Sequence, residues 1–409
     1  MTLNLTYKGN KWLSGAIPAL LIHCCIGSVY CWSLIKNNIA TEMDIVTSDI
    51  EFAFSLAIFF LGMSAAFCGR FIEKNVKYSS LISAICFTSG LLLTTVAMYL
   101  KSVPLLFLSY GCIMGIGLGI GYLSPVKTLM LWFSEHKGLA TGIAISGFGL
   151  SKAILSPFIE WCNANYSIYV TLWAISLVSM FCMLLASALI KKPEGWVETT
   201  DKFSIKEVWK IITNSEYIKI WLIFYINITL GLCLISFEKD LCLTNGIVAV
   251  GIISSLTAFF NTIGRFGYSS CSDFLKRKEI IYVIIFASSL IVCAIYGLNL
   301  INIGVATILL LCVINAGYGG GFSTLPTLLQ SKFGMGNIST IHGLALSAWA
   351  WAGLSGNQLS NLVINRMGLG YEHLITIVAC LYCVALIITL TIKNKTYKHL
   401  IHIDKYVNT

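Results

Sequence analysis

The stretch YSSLISAICFTSGLLLTTVAMY, Tyr78 to Tyr99, carries no charged side chain and shows Leu, Ile, Ala and Gly on every face. A hydrocarbon layer of roughly 30 Å takes about 20 apolar residues in a helix, so this segment alone reads as a membrane span. The rest of the chain repeats the pattern. Of 409 residues, 57% are hydrophobic and 11% charged, with a mean hydropathy of +0.83, against about a quarter charged in soluble domains. That balance excludes a water-soluble globule. With 6 prolines and no charge-rich or periodic polar sequence, it excludes disorder, collagen and coiled coil as well. Barrel strands alternate over about ten residues, whereas these runs are continuous, so the fold class is all-α: a polytopic membrane protein.

Spans fall at 12–35, 50–70, 78–99, 104–133, 138–160, 166–190, 217–237, 247–271, 280–299, 303–331, 341–364 and 371–392. The long polar interruption, Lys191 to Glu216, holds Pro193, Glu194, Gly195, Thr199, Thr200 and Asp201 and divides these twelve transmembrane helices six and six. The expected organisation is an N-terminal six-helix bundle (1–190), a cytoplasmic linker (191–216) and a C-terminal six-helix bundle with a short cytoplasmic tail (217–409). With both termini cytoplasmic, 20 Lys and Arg fall in inner segments and 4, namely Lys36, Lys101, Lys239 and Arg366, in outer loops, the asymmetry that short cytoplasmic loops carry. Topology thus explains the net charge of +9, and nucleic acid is not an expected partner. The 15 cysteines scatter through apolar runs without metal-site spacing, and the Cys380/Cys383 pair lies inside such a run. They read as small apolar core residues, with no metal and no cofactor implied. Before Trp12 there is no cleavage-site pattern, so the first span is expected to be retained.

The halves echo one another about two hundred residues apart. Gly69-Arg70-Phe71 matches Gly264-Arg265-Phe266; the glycine run before Pro125 matches Gly319-Gly320-Gly321 before Pro326. Gly138-Leu139-Ala140 with Gly149-Leu150-Ser151 matches Gly343-Leu344-Ala345 with Gly353-Leu354-Ser355. Three matches in one order are the trace of a duplicated bundle.

Twelve spans, a central loop, parallel half-repeats and a basic loop with Asp273, Lys276, Arg277 and Lys278 resemble the major facilitator superfamily. GSVYCWS (Gly27 to Ser33), GLATGIAISGFG (Gly138 to Gly149) and YGGGFSTLP (Tyr318 to Pro326) resemble, more narrowly, the oxalate/formate antiporter family and the related monocarboxylate transporters. Gly264 to Asp273 and Ile341-His342-Gly343 leading to Ala348-Trp349 fit the same pattern. The resemblance implies two pseudo-symmetric bundles and alternating access around a small carboxylate.

The residues point to an anion independently. All 18 acidic residues fall in loops or near span ends, for example Glu42, Asp44, Asp49 and Glu51 outside and Glu73 and Asp273 inside. Arg265 and Lys152, by contrast, lie in apolar context, where a charge costs at least about 3 kcal/mol and marks a partner or a substrate path. Arg265 sits where the resemblance places a carboxylate-binding arginine, and its planar fork fits two carboxylate oxygens; the other reading is an arginine reaching the inner headgroups. Asn261, one turn earlier, stands where related monocarboxylate carriers have an aspartate, which puts proton symport by that route in doubt. Lys152, roughly 21 Å from the inner start of its span, reads as a second substrate cation, an external gate or a lysine rising to the outer interface. Trp349 stands where oxalate carriers have a second cation, which argues for a monocarboxylate over oxalate. Tyr30, Trp32, Tyr122, Tyr318, Trp349 and Trp351 are candidate cavity aromatics.

His23, near mid-span, reads as a packed neutral histidine or a titratable one. His342, opening a span beside the inner loop, is assigned to gating, and Lys127 to snorkelling. Gly138, Gly142 and Gly147 are expected to form a sliding seam, with Asp273 latching inner helix ends. No Gly-Lys-Ser/Thr loop supports ATP-driven transport. The expected protein is a secondary active transporter of a small organic anion, monomeric, in a membrane such as the bacterial inner membrane. A proton-coupled symporter is the alternative, and a non-transporting sensor a further one.

Overall fold

The computed structural model describes residues 9–45, 47–194, 205–335 and 338–397, and among these it contains helices and no strands. Twelve long helices run in order: α1 (Trp12–Met43), α2 (Thr47–Lys74), α3 (Val76–Tyr99), α4 (Val103–Trp132), α5 (Lys137–Asn165) and α6 (Ile168–Leu189). After the polar segment come α7 (Ser215–Ser236), α8 (Val250–Ser272), α9 (Ile280–Gly297), α10 (Ile303–Phe333), α11 (Ile338–Asn361) and α12 (Tyr371–Leu390). Short helices Ile205–Ile212 and Glu238–Thr244 flank α7. Gly195, Thr199, Thr200 and Asp201 of the expected linker lie outside the described residues, as does the tail beyond 397.

Ten of the twelve are long and apolar enough to cross a membrane. The other two, α8 and α11, are long enough but interrupt their apolar sequence with Ser, Thr, Asn, His and, in α8, Arg265. Both lie between the bundles. α1–α6 pack among themselves, α7–α12 do likewise, and the halves meet where α2 runs along α11 and α5 along α8.

Local chemistry sets the helix ends. Asn214 accepts from Glu216 N and Tyr217 N at the start of α7, and Asn302 from Gly304 N and Val305 N at the start of α10, satisfying donors that an opening turn leaves bare. Gly334, at φ 88°, terminates α10, a left-handed position that glycine takes without Cβ strain. α1 is not uniform: Gly27–Cys31 tightens into a 3-10 turn.

The glycine seams follow the half-repeat. A Cβ on Gly69 would lie 2.8 Å from Ser339 O, and one on Gly343 would collide with Ala65 O, both between α2 and α11. On Gly142 it would lie 2.6 Å from Ser269 Oγ, and on Gly138 it would collide with Ser269 O, both between α5 and α8. Small residues let these backbones touch, as membrane helix packing requires. The face carrying residues 9–11 and 391–397 is called the terminal face below, and its opposite the distal face.

Candidate functional site

Along α8, Ser254, Thr257, Asn261, Arg265, Ser269 and Ser272 recur every three or four residues and so form one polar stripe. Arg265, 0% exposed, sits in the middle of it. Its Nε donates to Asn261 Oδ1 at 2.8 Å, while Nη1 and Nη2 have no hydrogen-bond partner among the described residues. The guanidinium carbon stands 5.6 Å from the Phe148 ring centre and 5.3 Å from that of Phe322. Such contacts are worth about 1–2 kcal/mol each when desolvated and offset part of the cost of burying the charge.

The rings form a box. Trp349 lies 4.4 Å from Phe322, 5.5 Å from Tyr122 and 5.9 Å from Phe148. Tyr30 packs on Phe148 and Tyr318 on Phe322, each at 5.1 Å, and their hydroxyls meet at 3.1 Å between the two bundles. Tyr122 Oη and Trp349 Nε1 are buried without hydrogen-bond partners among the described residues. The 3-10 turn brings Tyr30 inward, and the absence of side chains at Gly149 and Gly319 leaves room for Arg265. A Cβ on Gly149 would lie 3.2 Å from Arg265 Cδ, and one on Gly319 would lie 3.0 Å from its Cγ. Guanidinium, phenol and indole donors converge here without a carboxylate, because Glu216, Glu238 and Glu279, the buried acids described, bond elsewhere. The arrangement is suited to accepting negative charge.

The two mouths close differently. At the terminal face Asp273, just beyond α8, accepts from Gly138 N at 2.7 Å and Leu139 N at 2.8 Å. His136, the residue before α5, supplies no side-chain cap, so a carboxylate from the opposite bundle does, with the helix dipole in its favour. Nearby Lys278 donates to Ser272 O; burial draws its ammonium below the usual lysine range, opposed by Asp273. At the distal face Lys152 Nζ donates to Ser254 Oγ at 3.2 Å across the bundles. Glu238 Oε2 accepts from Thr257 Oγ1 at 3.0 Å one turn deeper.

Arg265, Asn261, Tyr30, Tyr122, Tyr318 and Trp349 are therefore brought together as the sequence suggests. Lys152 is not: its ammonium extends to the distal contact. Gly138 and Gly142 face α8, but Gly147 abuts Leu20 and His23 of α1, so the expected seam loses its third glycine to packing inside the first bundle. His342 is buried with its ring 6.1 Å from Tyr122, nearer the box than a loop-side gate. Trp32 packs on Tyr110 at 4.2 Å inside the first bundle, and Trp351 is 51% exposed beside Phe59, so neither lines the box. Lys127 is buried at 3% exposure and does not reach the surface. Sequence reading missed Phe148 and Phe322 as walls; their one signal is that each is a bulky aromatic residue directly following glycine in a glycine-rich stretch.

The family profile described as Major Facilitator Superfamily matches residues 18–357. The chain is 23% identical over 353 residues to the uncharacterized MFS-type transporter YhjX of Escherichia coli (strain K12), covering 83% of this chain and 84% of that protein. It is 24% identical over 390 residues to the oxalate:formate antiporter of Oxalobacter formigenes, covering 92% and 91%. Among solved structures, the superfamily transporter FucP in the outward conformation aligns with a TM-score of 0.71 at 12% identity, over 92% of this chain and 98% of that one. This chain, a multi-pass membrane protein of two six-helix bundles, belongs to the major facilitator superfamily.

Proposed function

We propose that the protein carries a small organic anion with a single carboxylate, by exchange or facilitated alternating access between its two bundles. The observation that carries the reading is Arg265: a buried guanidinium with both Nη atoms unbonded, walled by aromatic faces and held by a neutral amide. A carboxylate would complete two parallel charge-assisted bonds to that fork. Trp349 in the box and Lys152 committed to Ser254 leave one cation at the centre, which favours one carboxylate over two. The likeness to an oxalate:formate antiporter points to the same chemistry. The excess of Lys and Arg in the segments of the terminal face supports a cytoplasmic location for that face. Residues 1–190 and 217–409 are taken as the two moving bodies, joined by 191–216, in a monomer.

The test is a thermal-shift screen of formate, lactate, pyruvate, oxalate, a sugar and an organic cation on purified wild type and Arg265→Ala. A monocarboxylate should stabilise the wild type most, and Arg265→Ala should abolish that shift. If a sugar or cation stabilises best and the substitution leaves its shift unchanged, the assignment is wrong.

A further inference from the structure

The segment leaving each bundle is tied to the same two helices in both halves. After α6, Lys191 N donates to Ser14 O near the start of α1 at 3.1 Å, and Lys191 O accepts from Trp132 Nε1 at the end of α4 at 2.9 Å. After α12, Lys393 N donates to Glu216 Oε2 in the first turn of α7 at 2.9 Å. Lys393 O accepts from Lys332 Nζ in the last turn of α10 at 2.8 Å. Ser14 and Glu216, Trp132 and Lys332, Lys191 and Lys393 each stand at the spacing of the half-repeat, so the clamp is a duplicated device.

The two copies differ in chemistry. The first is neutral, made of an indole and backbone groups. The second is ionic and reaches further. Glu216 Oε1 accepts from Lys219 Nζ at 3.0 Å, and Lys219 Nζ also donates to Thr391 O at 2.9 Å. Tyr397 N donates to Lys332 O at 2.6 Å, and its ring lies 6.0 Å from that of Phe333. Lys332 Nζ donates in turn to Glu279 Oε1 at 3.4 Å, which accepts from Arg277 Nε at 3.0 Å as well. Glu216, Glu279 and Lys332 are each at most 3% exposed, so water competes little for these charge-assisted contacts. Arg277 and Glu279 lie in the short loop after α8 whose first residue, Asp273, caps α5 of the opposite bundle.

We propose that residues 391–397 are an ionic strap controlling the terminal face: seated on Glu216 and Lys332, they hold Lys332 against Glu279 and keep the Asp273 loop on α5. A buried ammonium that loses an acceptor is costly, so unseating Lys393 O weakens the hold of Lys332 on Glu279 and the loop is released with the strap. Among the described contacts, the neutral copy at Lys191 joins α1 to α4 within the first bundle. The strap acts on the bundles whatever cargo they carry.

The test is the distance between spin labels on the start of α5 and the end of α8, in a cysteine-free background in lipid nanodiscs, with hydrogen exchange of residues 391–397 followed in the same proteins. Lys332→Met removes the donor to Lys393 O and the partner of Glu279. Exchange over 391–397 should quicken several-fold, and the terminal-open distance should become several-fold more populated. Lys332→Arg, which keeps the charge, should lie closer to wild type. Lys393→Pro deletes the amide donated to Glu216 and leaves the charges of Glu216, Lys332 and Glu279 in place; it should move both readouts the same way, and it decides the matter if Lys332→Met does not fold. Trp132→Phe removes the indole donor of the neutral copy and should leave the terminal distance as in wild type. Faster exchange with an unchanged distance distribution would make the strap a passive tie and overturn the proposal, as would unchanged exchange in both Lys332→Met and Lys393→Pro. Opening in Trp132→Phe equal to that in Lys332→Met would overturn it too, since the route through Glu279 would then not carry the effect. Carboxylate binding enters none of these readouts, so the anion site stands or falls separately.

Discussion

Asn261, as a neutral amide, leaves the charge of Arg265 uncompensated. The amide oxygen orients Nε at 2.8 Å without neutralising it. Asn261→Asp would place an ionised carboxylate in the same contact at neutral pH and convert the proposed anion receptor into an internal ion pair. Carboxylate-dependent thermal stabilisation should be lost at pH 7 although the variant folds; a response equal to wild type would show that the guanidinium charge is not what binds. Gly149→Ala probes the same site sterically. Its methyl would press on Thr262 Oγ1 at 2.9 Å and Arg265 Cδ at 3.2 Å, and carboxylate affinity should fall at least several-fold while melting in the absence of ligand changes little. Arg265 was legible in the sequence because a charge in an apolar run has contrast. Phe148 and Phe322 were not, because lipid and protein core are equally apolar and hydropathy does not say which face of a helix turns inward. The position of Lys152 was legible but its destination was not: a long flexible stem separates backbone depth from where the ammonium ends.

Helices were legible to a few residues, since each needs its own run of apolar sequence, and the two crossings between bundles, α2 with α11 and α5 with α8, join elements that the half-repeat relates. What escaped was the interruption of α1 at Gly27–Cys31 and its extension to Met43, since nothing in a glycine-containing run distinguishes a 3-10 turn from a continued helix. The cap that Asp273 places on α5 is the sharpest element-level contact between the bundles. Asp273→Ala removes both acceptors, and caps of this kind are worth about 1 kcal/mol. The terminal face should therefore open about fivefold more often, read as a longer distance between spin labels on the start of α5 and the end of α8 in a cysteine-free background. An unchanged distribution would mean that the contact is not a latch. Gly264→Ala, colliding with Ala316 O of α10, should instead destabilise the second bundle by about 1–3 kcal/mol, seen as a lower melting temperature with or without carboxylate.

The molecule closes over Arg265 from both directions. Helix α2 stays against α11 from Gly69–Ser339 near one mouth to Gly353–Ile58 near the other. Along the partner seam, α5 meets α8 through Gly138–Asp273 at one end and Lys152–Ser254 at the other. Removing the distal contact with Lys152→Met should favour distal opening, as the terminal-face variant favours the reverse, so labels placed at both mouths should move in opposite senses in the two proteins.

A single rod, α8, touches the opposite bundle near both extremities and carries the guanidinium between them. From Ser254 to Asp273 it measures roughly 28 Å at 1.5 Å per residue. Pivoting such a stiff lever by about 10° around its midpoint displaces each tip by roughly 2 Å, enough to part a hydrogen bond at one and press the other home. A seesaw of this kind forbids simultaneous leakage at both entrances with no messenger between them.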